Sequence, residues 1–355
     1  MARKPLLLGL DIGSSSIKLV QLKETKKGRA QLINFGVAPL PPEAIVDGAL
    51  MNSTAIVEAI QSLTSSLKIK KKHVTISVSG HSVIIKKINI PLMTEEELEE
   101  SIQWEAEQYI PFDINDVNID VQILNPNPND AGQMEVLLVA AKKDIINDYT
   151  AVTQEAGLQP MVVDVDAFAV MNAFEANYSM PEDETIVLLN IGASVININV
   201  VANGIATFTR DISMGGNQYT EEIQKQLNVS YDEAEALKLG GDLGADSDSV
   251  VPQEVESVIQ NVSQTLAAEI QRSLDFYAAT SVDAQFGKIF VSGGTGKIPA
   301  LVKTIESKVA VPVEVMDPFR NIEINEKHFD PAYLRDIAPM AAVSVGLGLR
   351  RVGDK

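Results

Sequence analysis

The stretch Leu8-Gly9-Leu10-Asp11-Ile12-Gly13-Ser14-Ser15-Ser16-Ile17-Lys18 runs from an apolar strand through a polar residue and a glycine turn with small hydroxyls into a second strand. Val187-Leu188-Leu189-Asn190-Ile191-Gly192-Ala193-Ser194-Val195-Ile196-Asn197 repeats the plan. Laid in register, the two agree at Leu10/Leu189, Ile12/Ile191, Gly13/Gly192, Ser15/Ser194 and Ile17/Ile196. A tight turn selects glycine, and backbone N–H groups that approach an anion select residues without bulk. The pair therefore reads as a duplicated phosphate-loop hairpin, two loops able to grip one polyphosphate from opposite sides.

Outward from the first hairpin, Gln31 to Val37 predicts a third strand. Asn52-Ser53-Thr54 predicts the cap of a helix carrying Ile56, Val57, Ile60, Leu63 and Leu67 at helical spacing, and Val74 to Ser79 alternates like a strand. The order recurs from Ile186: the second hairpin, a strand from Gly204 to Arg210, a helix from about Asn217, more helices, and a strand from Lys288 to Ser292. Two related α/β halves with mixed sheets follow. Two further glycine turns precede helices, Gly215-Gly216 and Ser292-Gly293-Gly294-Thr295-Gly296-Lys297-Ile298, and each reads either as a packing turn or as bare backbone for a base or phosphate. Val255, Val258, Ile259, Val262, Leu266, Ile270, Leu274 and Tyr277 keep one helical stripe. Before it, Gly240 to Asp248 is glycine-rich and acidic; it reads as a solvated loop, since its spacing fails the EF-hand pattern.

From Ser82 to about Asn125 the first half holds material without a counterpart in the second. Thr94-Glu95-Glu96-Glu97 predicts a capping box for a helix ending before Pro111. Leu98, Ile102, Ala106 and Tyr109 share one stripe of it, and Trp104 points the other way. Asn125 to Asp130 is a turn-rich break, and Glu135 to Ala141 resumes a buried strand.

Composition narrows the functions. The chain has 355 residues, 45% hydrophobic, and a net charge of -19, which disfavours a nonspecific grip on nucleic acid or anionic lipid. No cysteine is present, so disulfides, thiolate metal sites and cysteine nucleophiles are excluded. The apolar run from Pro5 stops at Asp11, short of a signal or membrane segment. Lys68, Lys70, Lys71, Lys72 and His73 form the one basic run, read as a solvated helix end with membrane contact as the lesser alternative.

The two hairpins, the Gly-Gly turn and the Ser-Gly-Gly-Thr-Gly turn together resemble the nucleotide signature of the actin and sugar-kinase superfamily. Glu105-Ala106-Glu107-Gln108-Tyr109-Ile110-Pro111-Phe112 and Ala156-Gly157-Leu158 leading to Asp164-Val165-Asp166-Ala167-Phe168-Ala169 narrow the resemblance to the FtsA branch, and within it to the PilM-type proteins of type IV pilus assembly. It implies an actin-like (ribonuclease H-like) duplicated two-domain α/β fold with mixed sheets and an FtsA-type small inserted subdomain. The implied boundaries are 1–81 and 142–183 for the first domain, 82–141 for the insert, 184–229 and 284–335 for the second domain, 230–283 for a helical subdomain, and 336–355 for a returning C-terminal helix.

By the same resemblance the cofactors are ATP (or ADP) and Mg²⁺. Gly13, Ser14, Ser15, Ser16 and Lys18 would line the first phosphate loop, and Asn190, Gly192, Ala193, Ser194 and Asn197 the second. Gly215, Gly216, Lys225, Glu235 and Lys238 would contact ribose and phosphate, Gly293, Gly294 and Ile298 would cradle adenine, and Asp11 would hold Mg²⁺ through water. Plainer readings stand beside these: Lys18 and Lys225 as surface lysines, Glu235 and Lys238 as a surface pair, Asn197 facing solvent.

The resemblance also implies a partner, the N-terminal cytoplasmic tail of a PilN-like inner-membrane protein bound in a groove beside the insert. Trp104, Tyr109, Pro111 and Phe112 offer it an aromatic wall, although such a tryptophan equally covers a neighbouring element and buried helix-end packing equally explains the Tyr109 to Phe112 run. Unlike FtsA, the chain shows no long amphipathic tail after Leu349, so a cytoplasmic protein held at the inner membrane through its partner is expected. Two departures bear on hydrolysis. Asn190 stands where many relatives carry aspartate, and Val165 falls where they orient water with a polar side chain, so slow or absent ATP hydrolysis is expected. A small-molecule phosphotransferase on the same fold is the alternative; it needs an acid or base over the acceptor, for which Asp164 and Asp166 are the nearby candidates.

Overall fold

The computed structural model describes residues 4–125, 132–180, 184–240, 253–281 and 285–354. The predicted acidic loop after Gly240 and the turn-rich break after Asn125 lie outside the described residues.

The first half opens with β1 (Leu8–Ile12), β2 (Ser16–Glu24) and β3 (Ala30–Pro39). A small hairpin of β4 (Ile45–Val46) and β5 (Ala49–Leu50), then α1 (Ser53–Ser66) and β6 (His73–Val78), follow. After the insert come α3 (Lys143–Glu155), β10 (Gln159–Val165) and α4 (Asp166–Asn177). The insert between them consists of β7 (Val83–Pro91), α2 (Glu95–Glu107), β8 (Val117–Asn125) and β9 (Gln133–Lys142). The second half has β11 (Thr185–Ile191), β12 (Ile196–Ala202), β13 (Ile205–Ile212), α5 (Asn217–Leu227), α6 (Tyr231–Lys238), α7 (Gln253–Thr280), β14 (Phe286–Ser292), α8 (Pro299–Val309) and β15 (Val313–Val315). Helices α9 (Pro331–Ile337) and α10 (Ala342–Gly348) close the chain.

The duplication read in the hairpins extends to whole sheets. One is ordered β10-β6-β1-β2-β3 and the other β15-β14-β11-β12-β13, so each strand of the first has a counterpart in the second. In both, an antiparallel meander continues into parallel strands reached through helices. The central strands β1 and β11, which pair parallel with β6 and β14, are covered on both faces and read as near-continuous apolar runs: Leu8 to Ile12 in one and Thr185 to Leu189 in the other are all buried. A third cluster joins the halves. It packs Val20, Phe35 and Phe174 against Leu188, Val201 and Phe290, with Ala341 and Val345 from the returning C-terminal segment.

The insert folds around its own core. Its three strands are ordered β7-β9-β8, and α2 lays Leu98, Ile102 and Ala106 onto that sheet. The capping box predicted at its start is present: Glu97 N–H donates to Thr94 Oγ1 at 3.2 Å, and Thr94 N–H donates to the Glu97 carboxylate at 2.8 Å. The basic run differs from its predicted place. Helix α1 ends at Ser66 and Lys68 takes a positive φ of 53°, so Lys68 to Lys72 form the connection into β6 instead of the last turn of a helix.

Candidate nucleotide-binding site

The two hairpins keep the same register. Asp11 pairs with Lys18 and Ile12 with Ile17 across the first, Asn190 with Asn197 and Ile191 with Ile196 across the second. Their turns face each other, and Ser194 Oγ donates a hydrogen bond to Ser14 Oγ at 2.6 Å across the gap. A cleft of about 800 Å³ opens around this contact, within the range of small-molecule pockets. Its first-half wall holds Asp11 to Ser16, Lys18, Ser79 to His81, Tyr149 and Asp166. Its second-half wall holds Asn190, Gly192 to Val195, Asn197, Gly216, Glu235, Lys238, Ile259, Gly293 to Thr295, and Lys297 and Ile298.

Charge gathers on the first-half wall. Asp11 is 8% exposed and its Oδ2 lies 3.3 Å from Lys18 Nζ, so Lys18 is an internal counter-ion and not a surface lysine. Burial pushes the Asp11 carboxyl above its ordinary range, Lys18 works against that shift, and the charge of Asp166 adds to it. Asp166, the first residue of α4, accepts a hydrogen bond from Ser77 Oγ at 2.6 Å. Two carboxylates thus meet the same part of the cleft. Beside them the buried Ser16 Oγ has no partner. This donor set fits a hydrated divalent cation, which keeps several waters and takes few protein ligands. Among the described residues no group of three or more His, Asp or Glu side chains forms a closed metal cage.

The second loop itself is uncharged and cross-linked. Asn190 Nδ2 donates to Asn197 Oδ1 at 2.9 Å, and Asn197 Nδ2 donates to Asp211 Oδ1 at 2.8 Å. Asn197 is therefore buried in a chain of hydrogen bonds and does not face solvent. Burial raises the pKa of Asp211, and its other carboxylate oxygen accepts from Gly80 N–H of the first half. Thr295 Oγ1 donates to the carbonyl of Gly192 at 2.8 Å, tying the third glycine turn to the second loop. Glu235 and Lys238 pair with each other and with Thr220 inside the cleft, where Lys238 Nζ donates to Thr220 Oγ1 at 3.0 Å. The reading of them as a surface pair does not hold.

Gly293 is required by its backbone. At φ 87° it sits in the left-handed region, and a Cβ there would lie 2.3 Å from the Ile191 carbonyl oxygen. Gly215 has a different role from the one expected. It does not line the cleft; a Cβ would meet the Gly192 carbonyl oxygen at 2.5 Å, so it backs the second loop. Lys225 stands away from the site altogether, its side chain 76% exposed and paired with Glu222 on the outer face of α5. Helical spacing cannot tell which face a lysine takes until the neighbouring helix is placed.

The largest correction concerns Val165. It is buried as the last residue of β10, and the next residue, Asp166, opens α4 and turns into the cleft. The polar group judged absent from the strand is present one position later, and Asp164 points away to Arg350 at 3.1 Å. In an unbroken strand residues two apart share a face; the two aspartates diverge because the strand gives way to the helix between them.

The expected partner wall also comes apart. The helix ends at Glu107, so Tyr109, Pro111 and Phe112 follow it. Tyr109 and Phe112 pack into the insert core, Phe112 beneath Lys142 Nζ at 4.4 Å, while Trp104 stands alone and 79% exposed. A groove of about 360 Å³ instead lies where β8 and β9 of the insert meet β10, α4 and the β12–β13 turn. Val121, Leu124, Leu137, Val139, Val163, Phe168 and Met171 line it, with Asp164, Asn172, Glu175 and Arg350 as polar groups. None of the four residues expected to meet a partner lines this groove.

Paired sheets with a nucleotide-sized cleft between two hairpin loops define an actin-like protein. Solved structures agree: the chain superposes with a TM-score of 0.57 on ethanolamine utilization protein EutJ from Carboxydothermus hydrogenoformans, 14% identical over 98% of this chain and 90% of that one. It superposes with 0.51 on MreB 5 of Spiroplasma citri bound to AMPPNP, 13% identical over 98% and 95%. A sequence profile of the family described as type IV pilus assembly protein PilM matches residues 9–352, and the chain belongs to that family. The PilM-PilN type IV pilus biogenesis complex superposes at 0.86, 28% identical over 98% of this chain and 99% of that one. Curated relatives include the cell division protein FtsA of Streptococcus pneumoniae, 23% identical over 67% of this chain, and that of Neisseria meningitidis, 23% identical over 87%. The match spans 56% of the first and 83% of the second. Among the described residues no helix is long and apolar enough to cross a membrane.

Proposed function

We propose that the protein is an ATP-binding, actin-like scaffold of type IV pilus assembly that docks the N-terminal cytoplasmic tail of a PilN-like inner-membrane protein. The observation that carries the nucleotide half is the facing pair of serine-bearing loops around Ser14 and Ser194, with Asp11 and Asp166 beneath one of them. In this reading ATP lies with its phosphates between the loops and its base against Gly293, Gly294 and Ile298. Glu235 and Lys238 meet the ribose, and Mg²⁺ is held through water by Asp11 with Asp166 nearby. Bound Mg²⁺ would neutralise phosphate charge; the chain itself orients the nucleotide.

Turnover is slow in this reading, because Asn190 leaves the second loop without the second loop carboxylate that would hold the cation firmly. Asp166 is the group placed to orient an attacking water.

The partner tail docks in the groove beside the insert. Its apolar walls suit an extended apolar peptide, and Asn172 Nδ2, buried without a partner, is available to a peptide carbonyl. Such docking would hold a cytoplasmic protein at the inner membrane. The family match and the superposition on a PilM-PilN complex support the choice of partner.

Calorimetric titration of the protein with Mg-ATP and with a PilN N-terminal peptide, separately and together, tests both halves. Binding of each, with the peptide lost in Phe168→Asp and retained in Trp104→Ala, is expected. Binding of neither ligand overturns the reading, and loss of the peptide only in Trp104→Ala returns the docking surface to α2.

A further inference from the structure

Tyr149 is the buried tyrosine whose hydroxyl the protein leaves unused. Among the other well-buried tyrosines, Tyr219 shares a hydrogen bond with Ser263 at 2.9 Å and Tyr277 with Thr207 at 3.1 Å. The half-buried Tyr178 accepts one from Asp317 N–H at 2.9 Å. Tyr149, 6% exposed, packs on α3 in the apolar cluster with Leu10, Ile12 and Val78, and it lines the nucleotide cleft. Its hydroxyl has no hydrogen-bond partner among the described residues and opens onto the cleft, although the ring beneath it is buried.

The surroundings say what kind of partner it takes. A phenol is protonated at neutral pH, and burial pushes its pKa further up. A phenol that lines the same cleft as two carboxylates acts as a donor, either to an anion or to water that those carboxylates also hold. The base end of the cleft lies against the second half, at Gly293 to Ile298. A nucleotide seated there directs its terminal phosphate toward Asp11 and Asp166.

We propose that Tyr149 is a positioning residue. Its hydroxyl orders the water between Asp11, Asp166 and the terminal phosphate, and so makes the cleft prefer nucleoside triphosphate over diphosphate. This rests on the nucleotide reading above. It adds a way for the first half to sense the third phosphate, which neither serine loop supplies by itself.

The test is Tyr149→Phe, which keeps the ring and removes the oxygen, titrated by calorimetry with Mg-ATP and Mg-ADP beside the wild type. The expected result is a fall of about tenfold in the ratio of ATP to ADP affinity, the size of one hydrogen bond. The thermal midpoint of the nucleotide-free variant should be no lower than that of the wild type, because the lost hydroxyl had no protein partner to hold. An unchanged affinity ratio, or an equal weakening for both nucleotides, overturns the role of Tyr149 and leaves the nucleotide reading standing. Failure of the wild type to bind either nucleotide removes both.

Discussion

At equivalent register positions the two hairpins carry opposite chemistry. In the first, Asp11 faces Lys18 as a buried ion pair; in the second, Asn190 faces Asn197 as an amide hydrogen bond. The first loop is less tightly backed: a Cβ on Gly13 would meet the flexible Lys18 Nζ at 3.1 Å, the Ser16 carbonyl oxygen at 3.2 Å and Asp11 Oδ1 at 3.6 Å. The second is backed by Gly215, anchored by Thr295, and wired through Asn197 and Asp211 to Gly80 of the other half. Duplication supplied one scaffold twice, and divergence split its tasks: one loop carries the charge, and the other holds the cleft together. Uncharged amides suit the second task, since a buried hydrogen bond needs no counter-ion, and the one buried carboxylate they reach, Asp211, accepts from both Asn197 and Gly80.

The comparison breaks most sharply at the glycines. Gly215→Ala forces a Cβ to within 2.5 Å of the Gly192 carbonyl oxygen and 2.7 Å of the Ala193 carbonyl, atoms that cannot rotate away. A loss of about 2–3 kcal/mol in unfolding free energy is expected, with weakened nucleotide binding because the second loop must move. Gly13→Ala should cost about 1 kcal/mol, since Lys18 Nζ can give way and the Ser16 carbonyl oxygen at 3.2 Å need shift only a few tenths of an ångström. Urea denaturation of the two variants measures the difference; equal losses would show that the second loop is no more rigidly backed than the first.

Asp11→Asn converts the first hairpin into a chemical copy of the second, and the expected effects on nucleotide have opposite signs with and without metal. Removing the carboxylate frees Lys18 for phosphate, so ATP affinity without Mg²⁺ should rise. The gain in affinity on adding Mg²⁺ should shrink by about tenfold, as one carboxylate of the cation site is lost. ATP titrations at fixed ionic strength with and without Mg²⁺ decide it. A Mg²⁺ dependence equal to that of the wild type would mean that Asp11 takes no part in holding the cation.

Much of this comparison was legible in the sequence because it rests on local pattern. The hairpin repeat, the neutral Asn190 against Asp11, and the capping box at Thr94 and Glu97 depend on residues near one another in the chain, and the paired sheets follow from the recurring order of elements. What escaped depends on exact boundaries and on elements far apart. Asp166 reads in the sequence only as one of two acid or base candidates on a strand, whereas the strand stops at Val165 and helix geometry redirects the next side chain into the cleft. Asp211 and Tyr149 gave no local signal at all: one sits at the end of an ordinary strand and the other on an amphipathic helix, and their place in the site exists only once both sheets face the cleft. The aromatic run from Tyr109 to Phe112 shows the converse ambiguity, open in the sequence between partner contact and helix-end packing. Aromatic content suggested a surface, and the insert used two of those rings for its own core.

The finest test of the divided tasks is the one contact the two loops share. Ser194 Oγ donates to Ser14 Oγ at 2.6 Å, a bond that ties the halves together directly across the place assigned to the phosphates. A double-mutant cycle of Ser14→Ala and Ser194→Ala isolates that contact from the other roles of each serine. In the nucleotide-free protein the coupling should be about 0.5–1.5 kcal/mol, the net worth of one hydrogen bond. With saturating Mg-ATP each hydroxyl has a phosphate oxygen to turn to, so the coupling in unfolding free energy should fall toward zero while both single variants bind ATP less tightly. The loops would then exchange a bond between themselves for bonds to the ligand, and closure of the empty cleft would compete with binding. A coupling that survives saturation with ATP would mean that the serines continue to hold each other, and that the phosphates lie elsewhere along the hairpins.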